Sequence, residues 1–256
     1  MVKDRLLAKT GRRLLAKDAL PAARSLQPSG CPPMAKGLAL GIDTCTRWMN
    51  LALVGDEGRV LGEFHEQAKT HATGLVAAVE KLLHERCAGY KDLAALGVVI
   101  GPGSFTGLRV GLAAALGFSR TLGMPVYGID SLTALAEFAE AKGSGIAILD
   151  ARRSEVYVRR FQRNGAKLEA LGAPEAVHPS RAIPDDFKPA WAIGDGVPLV
   201  TSLPSRCALF PDVPNLAIPA AHRALEAHAA GQPGDALSAL YVRPPDAKLP
   251  YKAGRL

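Results

Sequence analysis

Residues 38–43 read LALGID, and residues 145–150 read GIAILD. Each is a short apolar run closed by an aspartate, the spelling of a strand buried on both faces. The segments after the two runs also match. After the first come WMNLALVG (48–55) and RVLGEFHE (59–66), joined by the turn DEG at 56–58. After the second come EVYVRRFQ (155–162) and AKLEALG (166–172), turned by RNG at 163–165, where Asn164-Gly165 is a strong hairpin signal. The chain therefore opens the same three-strand plan twice.

Further along, the first copy alternates helix and strand. THATGLVAAVEKLLHERC (70–87) carries Leu75, Val79, Leu82 and Leu83 at helical spacing, and LAALGVVIG (93–101) is another buried strand. GLRVGLAAALGFSRTLG (107–123) predicts a second helix, PVYGID (125–130) a strand, and SLTALAEFAEAK (131–142) a helix opened by a serine cap. The second copy is barer, with a strand at 190–196 ending in Asp195 and a helix within 215–231 that takes Pro219 into its first turn. A meander and then crossovers, made twice, predicts an α/β chain of two tandem ribonuclease-H-like lobes, 36–142 and a smaller 143–256. This is the layout of the actin-like ATPase (ASKHA) fold. It puts Asp43 and Asp150 at equivalent strand ends and ligands in the cleft between the lobes.

The formal charge is +7, but residues 1–36 hold eight Lys or Arg against two acids, so the remaining 220 residues carry only +1. The body is thus a poor electrostatic footprint for RNA on its own. Residues 1–35 are expected to be a basic tail outside the fold, with Met34 a candidate start, and the tail lacks the solid apolar stretch of a secretory signal. No apolar run reaches the ~18 residues of a membrane span. Four scattered cysteines form no CxxC pair, which points to reduced thiols and a cytoplasmic protein.

The glycine-rich stretch GPGSFTGLRVGL (101–112) invites a chemical reading. It lacks the lysine of a Walker loop, its glycines read GxGxxxG where a dinucleotide loop needs GxGxxG, and Ser104 is not in a GxSxG elbow. A loop entering a helix remains, with Ser104 or Thr106 as cap. Arg109 near that helix start opposes its dipole and calls for an anionic partner, either an internal carboxylate or a bound anion. Candidate ligand-binding residues are Asp43, Thr44, Gly103, Ser104, Thr106 and Arg109, with structural shaping the stronger alternative for the glycines. Histidines six apart, His65 with His71 and His222 with His228, do not match helical metal pairs, so no metal site is expected.

GPGSFTGLRVGL with GMPVYGIDSLTALA (123–136) behind it resembles the TsaB family. LALGIDTCT (38–46), LDARRSEVYVRRF (149–161), IGDG (193–196) and YVRPPDAK (241–248) are similar to further blocks of that family, in the same order. The resemblance implies a non-catalytic subunit of the machinery that makes threonylcarbamoyladenosine at position 37 of tRNA. It implies pairing with a TsaD-type transferase, a TsaE-type ATPase in the same complex, and contact with tRNA only through that complex. It also implies a homodimer when alone, no cofactor of its own, a metal supplied by the partner, and ATP or ADP at most at the complex interface. TsaD-type proteins carry a metal-binding HxxxH on the first helix; here the matching place reads THATGLV, with His71 but Leu75. The helices 70–87 and 107–123 become the candidate docking face, through His71, Leu75, Ala78, Leu82, Gly111, Ala114 and Ala115. A competing reading, an actin-like ATPase or small-molecule kinase working in the cleft, needs a glycine loop after the second aspartate, and Asp150 leads into ARRSEVY.

Overall fold

The computed structural model describes residues 37–67 and 74–243. The expectations for residues 1–35 and for His71 lie outside the described residues.

Two sheets repeat one topology. In the first, β1 (Leu38–Asp43), β2 (Trp48–Val54) and β3 (Val60–Gln67) form an antiparallel meander, and β4 (Leu93–Val99) and β5 (Val126–Ile129) add parallel strands on the other side of β1. In the second, β6 (Gly143–Arg152), β7 (Glu155–Asn164) and β8 (Lys167–Ala170) form the meander. There β10 (Trp191–Ile193) and β11 (Ala208–Phe210) are the parallel strands, and β9 (Glu175–Val177) pairs with β7. The orders β3-β2-β1-β4-β5 and β8-β7-β6-β10-β11 superimpose element on element. This is the duplicated ribonuclease-H-like plan of the actin-like fold. The second copy has short connections where the first has helices.

On one face of the first sheet lie α1 (Leu75–Glu85) and α2 (Phe105–Leu122). Helix α1 buries Leu75, Ala78, Val79, Leu82 and Leu83, a stripe at helical spacing. Helix α2 starts two residues before the expected position: Ser104 is its cap, its Oγ accepting from Gly107 N–H, and Gly123 ends it in the left-handed conformation. The helix expected at 131–142 is shorter, α3 (Ser131–Ala136), and its cap is Asp130, which accepts from Thr133 N–H. Ser131 instead donates its hydroxyl to Pro102 O and ties α3 to the glycine loop. In the β7–β8 hairpin, Asn164 pairs with Lys167 as the last strand residue, so the turn falls on Gly165 and Ala166, one position later than expected.

The larger correction concerns α4 (Ala217–Ala229). Its place in 143–256 assigns it to the second lobe, but it covers the other face of the first sheet, on β1, β2, β4 and β5. Small residues cause this. Gly41 in β1 and Gly97 in β4 face the helix, and a methyl group at either would run into the Ala217 or Ala220 carbonyl. Ala39, Ala95, Ala221 and Ala224 complete the seam. Backbone lies almost on backbone, an approach that only Gly and Ala permit.

The lobes share one apolar cluster, in which Val99, Leu108 and Ile129 of the first meet Leu149, Phe161, Trp191 and Ile193 of the second around Leu132 and Leu135 of α3. Two arginines of β7 clasp α3 at both ends. Arg159 Nη1 reaches Asp130 Oδ2 at 2.6 Å and Thr133 Oγ1 at 3.0 Å, and Arg163 Nη2 donates to Ala136 O at 2.9 Å. Among the described residues no helix is long and apolar enough to cross a membrane. Cys45 and Cys207 are free and buried.

Candidate functional site

Two surfaces stand out: the cleft between the lobes and a groove between α1 and α2. Helix α2 serves both, its N-terminal end at the cleft and its C-terminal half at the groove.

The glycine loop is occupied by the chain itself. A methyl group at Gly103 would strike Cys45 O, one at Gly107 would strike Thr44 O, and one at Gly111 would press on Thr44 Oγ1. Ser104 N–H donates to Cys45 O at 2.7 Å, and Thr44 Oγ1 donates to Gly107 O at 2.7 Å. The glycines spaced by four therefore let α2 settle on the Thr44–Cys45 segment as it leaves β1. Thr44 is buried and Thr106 is exposed in the first turn.

Asp43 does not reach the cleft. It is fully buried, accepting from Cys45 N–H and Asn50 Nδ2, each at 2.8 Å. Asn50 Oδ1 accepts in turn from His65 Nδ1 at 2.6 Å, and the His65 ring stacks on Trp48. Partial burial lowers the His65 pKa against the opposing pull of Glu63 and Asp43. The Cys45 thiol, on the cleft floor, is held well above its ordinary pKa by burial first and by the Asp43 charge second. Among the described residues no three His, Cys, Asp or Glu side chains converge as a metal set.

The cleft has a volume of about 910 Å³. From the sequence-predicted set it gathers Gly103, Ser104 and Arg109, and it adds Arg47, Arg152, Arg153, Tyr241 and Arg243. Arg109 is the fifth helical residue rather than part of the first turn, and its partners are aromatic. Its guanidinium lies 3.8 Å over the Phe105 ring and its Nε donates to Tyr241 Oη at 3.3 Å. On the opposite wall Asp150 accepts from Arg152 N–H and Nη1, while Asp150 N–H donates to Asp195 Oδ1. Arg152, Arg153 and Ser154 all have left-handed φ, 62°, 56° and 61°. Such a tight turn usually takes Asn-Gly, and each non-glycine residue there costs about 1–2 kcal/mol. The arginine doublet after Asp150 was the sequence signal for this wall, visible as charge but silent on where the turn would aim it.

The groove has a volume of about 410 Å³ and is lined by Val76, Tyr90, Ala114, Gly117, Phe118, Thr121 and Leu122. Of the residues expected to dock a partner, Leu75, Ala78, Leu82, Gly111 and Ala115 are buried core, and only Ala114 reaches the groove. On both helices the exposed groove residues lie about one helical step from the buried ones. Val76 is 52% exposed, and a methyl group on Gly117 would meet nothing within 4 Å. A glycine inside a helix costs about 1 kcal/mol relative to alanine, and at Gly117 no neighbour among the described residues requires it.

Residues 64–207, more than half of the chain, match the family described as TsaD, tRNA N6-adenosine threonylcarbamoyltransferase. An uncharacterised protein of Mycobacterium leprae is 33% identical over 218 residues, covering 82% of this chain and 56% of that protein. The tRNA threonylcarbamoyladenosine biosynthesis protein TsaB of Escherichia coli is 34% identical over 148 residues, covering 54% of this chain and 64% of that protein. This chain thus spans less than two thirds of either relative. Among solved structures, YeaZ from Pseudomonas aeruginosa superimposes with a TM-score of 0.65 at 29% identity, covering 82% of this chain and all of that one.

Proposed function

The chain belongs to the TsaD family, and within it to the TsaB group, and we propose that it serves tRNA threonylcarbamoyladenosine synthesis as a non-catalytic scaffold. In this reading it pairs with a TsaD-type transferase and activates it. The transferase holds the metal and carries out the transfer at adenosine 37, and a TsaE-type ATPase joins the pair. The chain works in the cytoplasm and reaches tRNA as part of that assembly.

The observation that carries the reading is the groove on α1 and α2. An apolar channel runs between two helices, Gly117 is open at its floor, and Val76 stands exposed at its edge. Apolar surface of this kind marks protein contacts, and a small residue lets a partner helix come close. The same groove serves a second copy of the chain when no transferase is present, so homodimer and heterodimer compete.

The cleft supports the non-catalytic part. A kinase or ATPase of this fold needs a phosphate loop on each lobe. Here the first loop is filled by Thr44 and Cys45, and the second lobe offers Arg152 and Arg153 in place of glycine. The clasp of Arg159 and Arg163 on α3 also opposes closure of one lobe on the other.

The test is pairing. Val76→Glu places a charge in the groove on an exposed side chain. The variant should keep its circular dichroism spectrum, elute as a monomer in gel filtration and fail to co-elute with a TsaD-type partner. A folded variant that pairs like the parent would move the interface elsewhere.

A further inference from the structure

We propose that the cleft between the lobes receives a single-stranded stretch of RNA, its bases on Phe105 and Tyr241 and its phosphates among the arginines. Five arginines line the cleft, Arg47, Arg109, Arg152, Arg153 and Arg243, against two aspartates, Asp150 and Asp195. In a chain whose body carries a charge of only +1, this is a local concentration of positive charge. Arg152 is already paired with Asp150, and Arg243 with Glu155. Arg47 and Arg109 instead rest on aromatic rings, at 5.4 Å over Trp48 and 3.8 Å over Phe105.

The aromatic groups decide which anion fits. Phe105 and Tyr241 are 37% and 42% exposed, with ring centroids 5.2 Å apart. Large exposed rings beside guanidinium groups are what single-stranded nucleic acid binds, with bases stacking and the backbone tracking the charge. An acidic peptide would use the arginines and leave the rings idle. A free nucleoside triphosphate would need backbone N–H groups around its phosphates. Here Ser104 N–H is bonded to Cys45 O and Gly107 N–H to Ser104 Oγ.

The left-handed Arg152–Ser154 turn fits the same use. Backbone held in a costly conformation is retained where it places a side chain, and this one sets two arginines on the cleft wall. The groove that takes the proposed protein partner lies along the C-terminal half of α2, beyond Ala114, while Phe105 begins that helix. At 1.5 Å per residue these points are more than about 13 Å apart along the axis, so both surfaces can be occupied together.

The inference draws its substrate class from the tRNA-modification reading, but its test needs no transferase. The full chain is mixed with a 12-nucleotide single-stranded RNA containing 4-thiouridine, irradiated, and the crosslinked peptides are read by mass spectrometry. Crosslinks are expected on peptides holding Phe105 or Tyr241. In parallel, Tyr241→Ala and Arg109→Ala should each weaken binding of the labelled RNA at least about fivefold, the contribution of one stacked base, with circular dichroism unchanged. Crosslinks confined to residues 1–36 would overturn the proposal, as would variants that bind like the parent. Displacement of the RNA by polyglutamate as readily as by unlabelled RNA would assign the cleft to acidic peptide and overturn it too. None of these results alters pairing through the groove, which the Val76→Glu experiment measures separately.

Discussion

Glycine carries most of the information in this chain, and each glycine reports a different neighbour. Gly41 and Gly97 sit in the middle of strands, where glycine weakens the strand and signals a close approach by something else. The sequence shows the gap without saying what fills it, because the filler, α4, arrives from residues 217–229. For Gly103, Gly107 and Gly111 structural shaping was the stronger reading, and the two residues just past β1 fill the space beside them. The buried Asp43 was legible as a strand-end acid. Its engagement by Asn50 was not, since that pair forms only once β1 and β2 register. A direct check lies at Gly97. Gly97→Ala drives a methyl group into the Ala220 backbone, which cannot swing aside as a side chain can, so the loss should reach about 3 kcal/mol or more, the top of the usual overpacking range. Urea denaturation monitored by circular dichroism would measure it, and a loss within about 0.5 kcal/mol would mean that α4 does not sit on the sheet as described.

At the scale of elements, the strands of the first sheet were read to within a residue or two, because β1 and β4 are apolar on both faces and the pattern is unbroken, whereas the short, half-exposed β9 and β11 were not read at all. Helix ends were harder. The cap of α3 fell to Asp130 because Ser131 was drawn away by Pro102 O, a contact between distant loops. The residues named as a docking face proved buried for a related reason. Apolar periodicity finds the stripe that a helix buries, and on α1 and α2 that stripe faces their own sheet. The outward signal was Gly117, a helix breaker that no neighbour among the described residues calls for. Its replacement separates folding from association. Gly117→Ala should raise the stability of the isolated monomer by about 0.5–1 kcal/mol through helix propensity. It should also weaken pairing, by filling the space a partner helix needs. Thermal melts beside sedimentation equilibrium would show both effects, and an equal or tighter dimer would mean that no partner backbone approaches there.

As a whole, the molecule keeps the frame of a two-lobed enzyme and ties its lobes together through one apolar cluster and two arginines. The duplicated sheet order was legible from two short strands and their hairpins. That the lobes share one apolar cluster, and that the last helix crosses back to the first, was not, because both depend on contacts far apart in sequence. A clasped frame with an apolar groove outside and a basic cleft between the lobes fits a subunit that arranges other molecules. The most direct measurement is reconstitution. A TsaD-type transferase, a TsaE-type ATPase, threonylcarbamoyl-adenylate and unmodified tRNA are combined with this chain, without it, or with Val76→Glu. Threonylcarbamoyladenosine is then counted by mass spectrometry of the digested tRNA. The account predicts modification only with the intact chain, little with Val76→Glu, and none from the chain alone. Full modification without the chain, or transfer by the chain without a transferase, would contradict it.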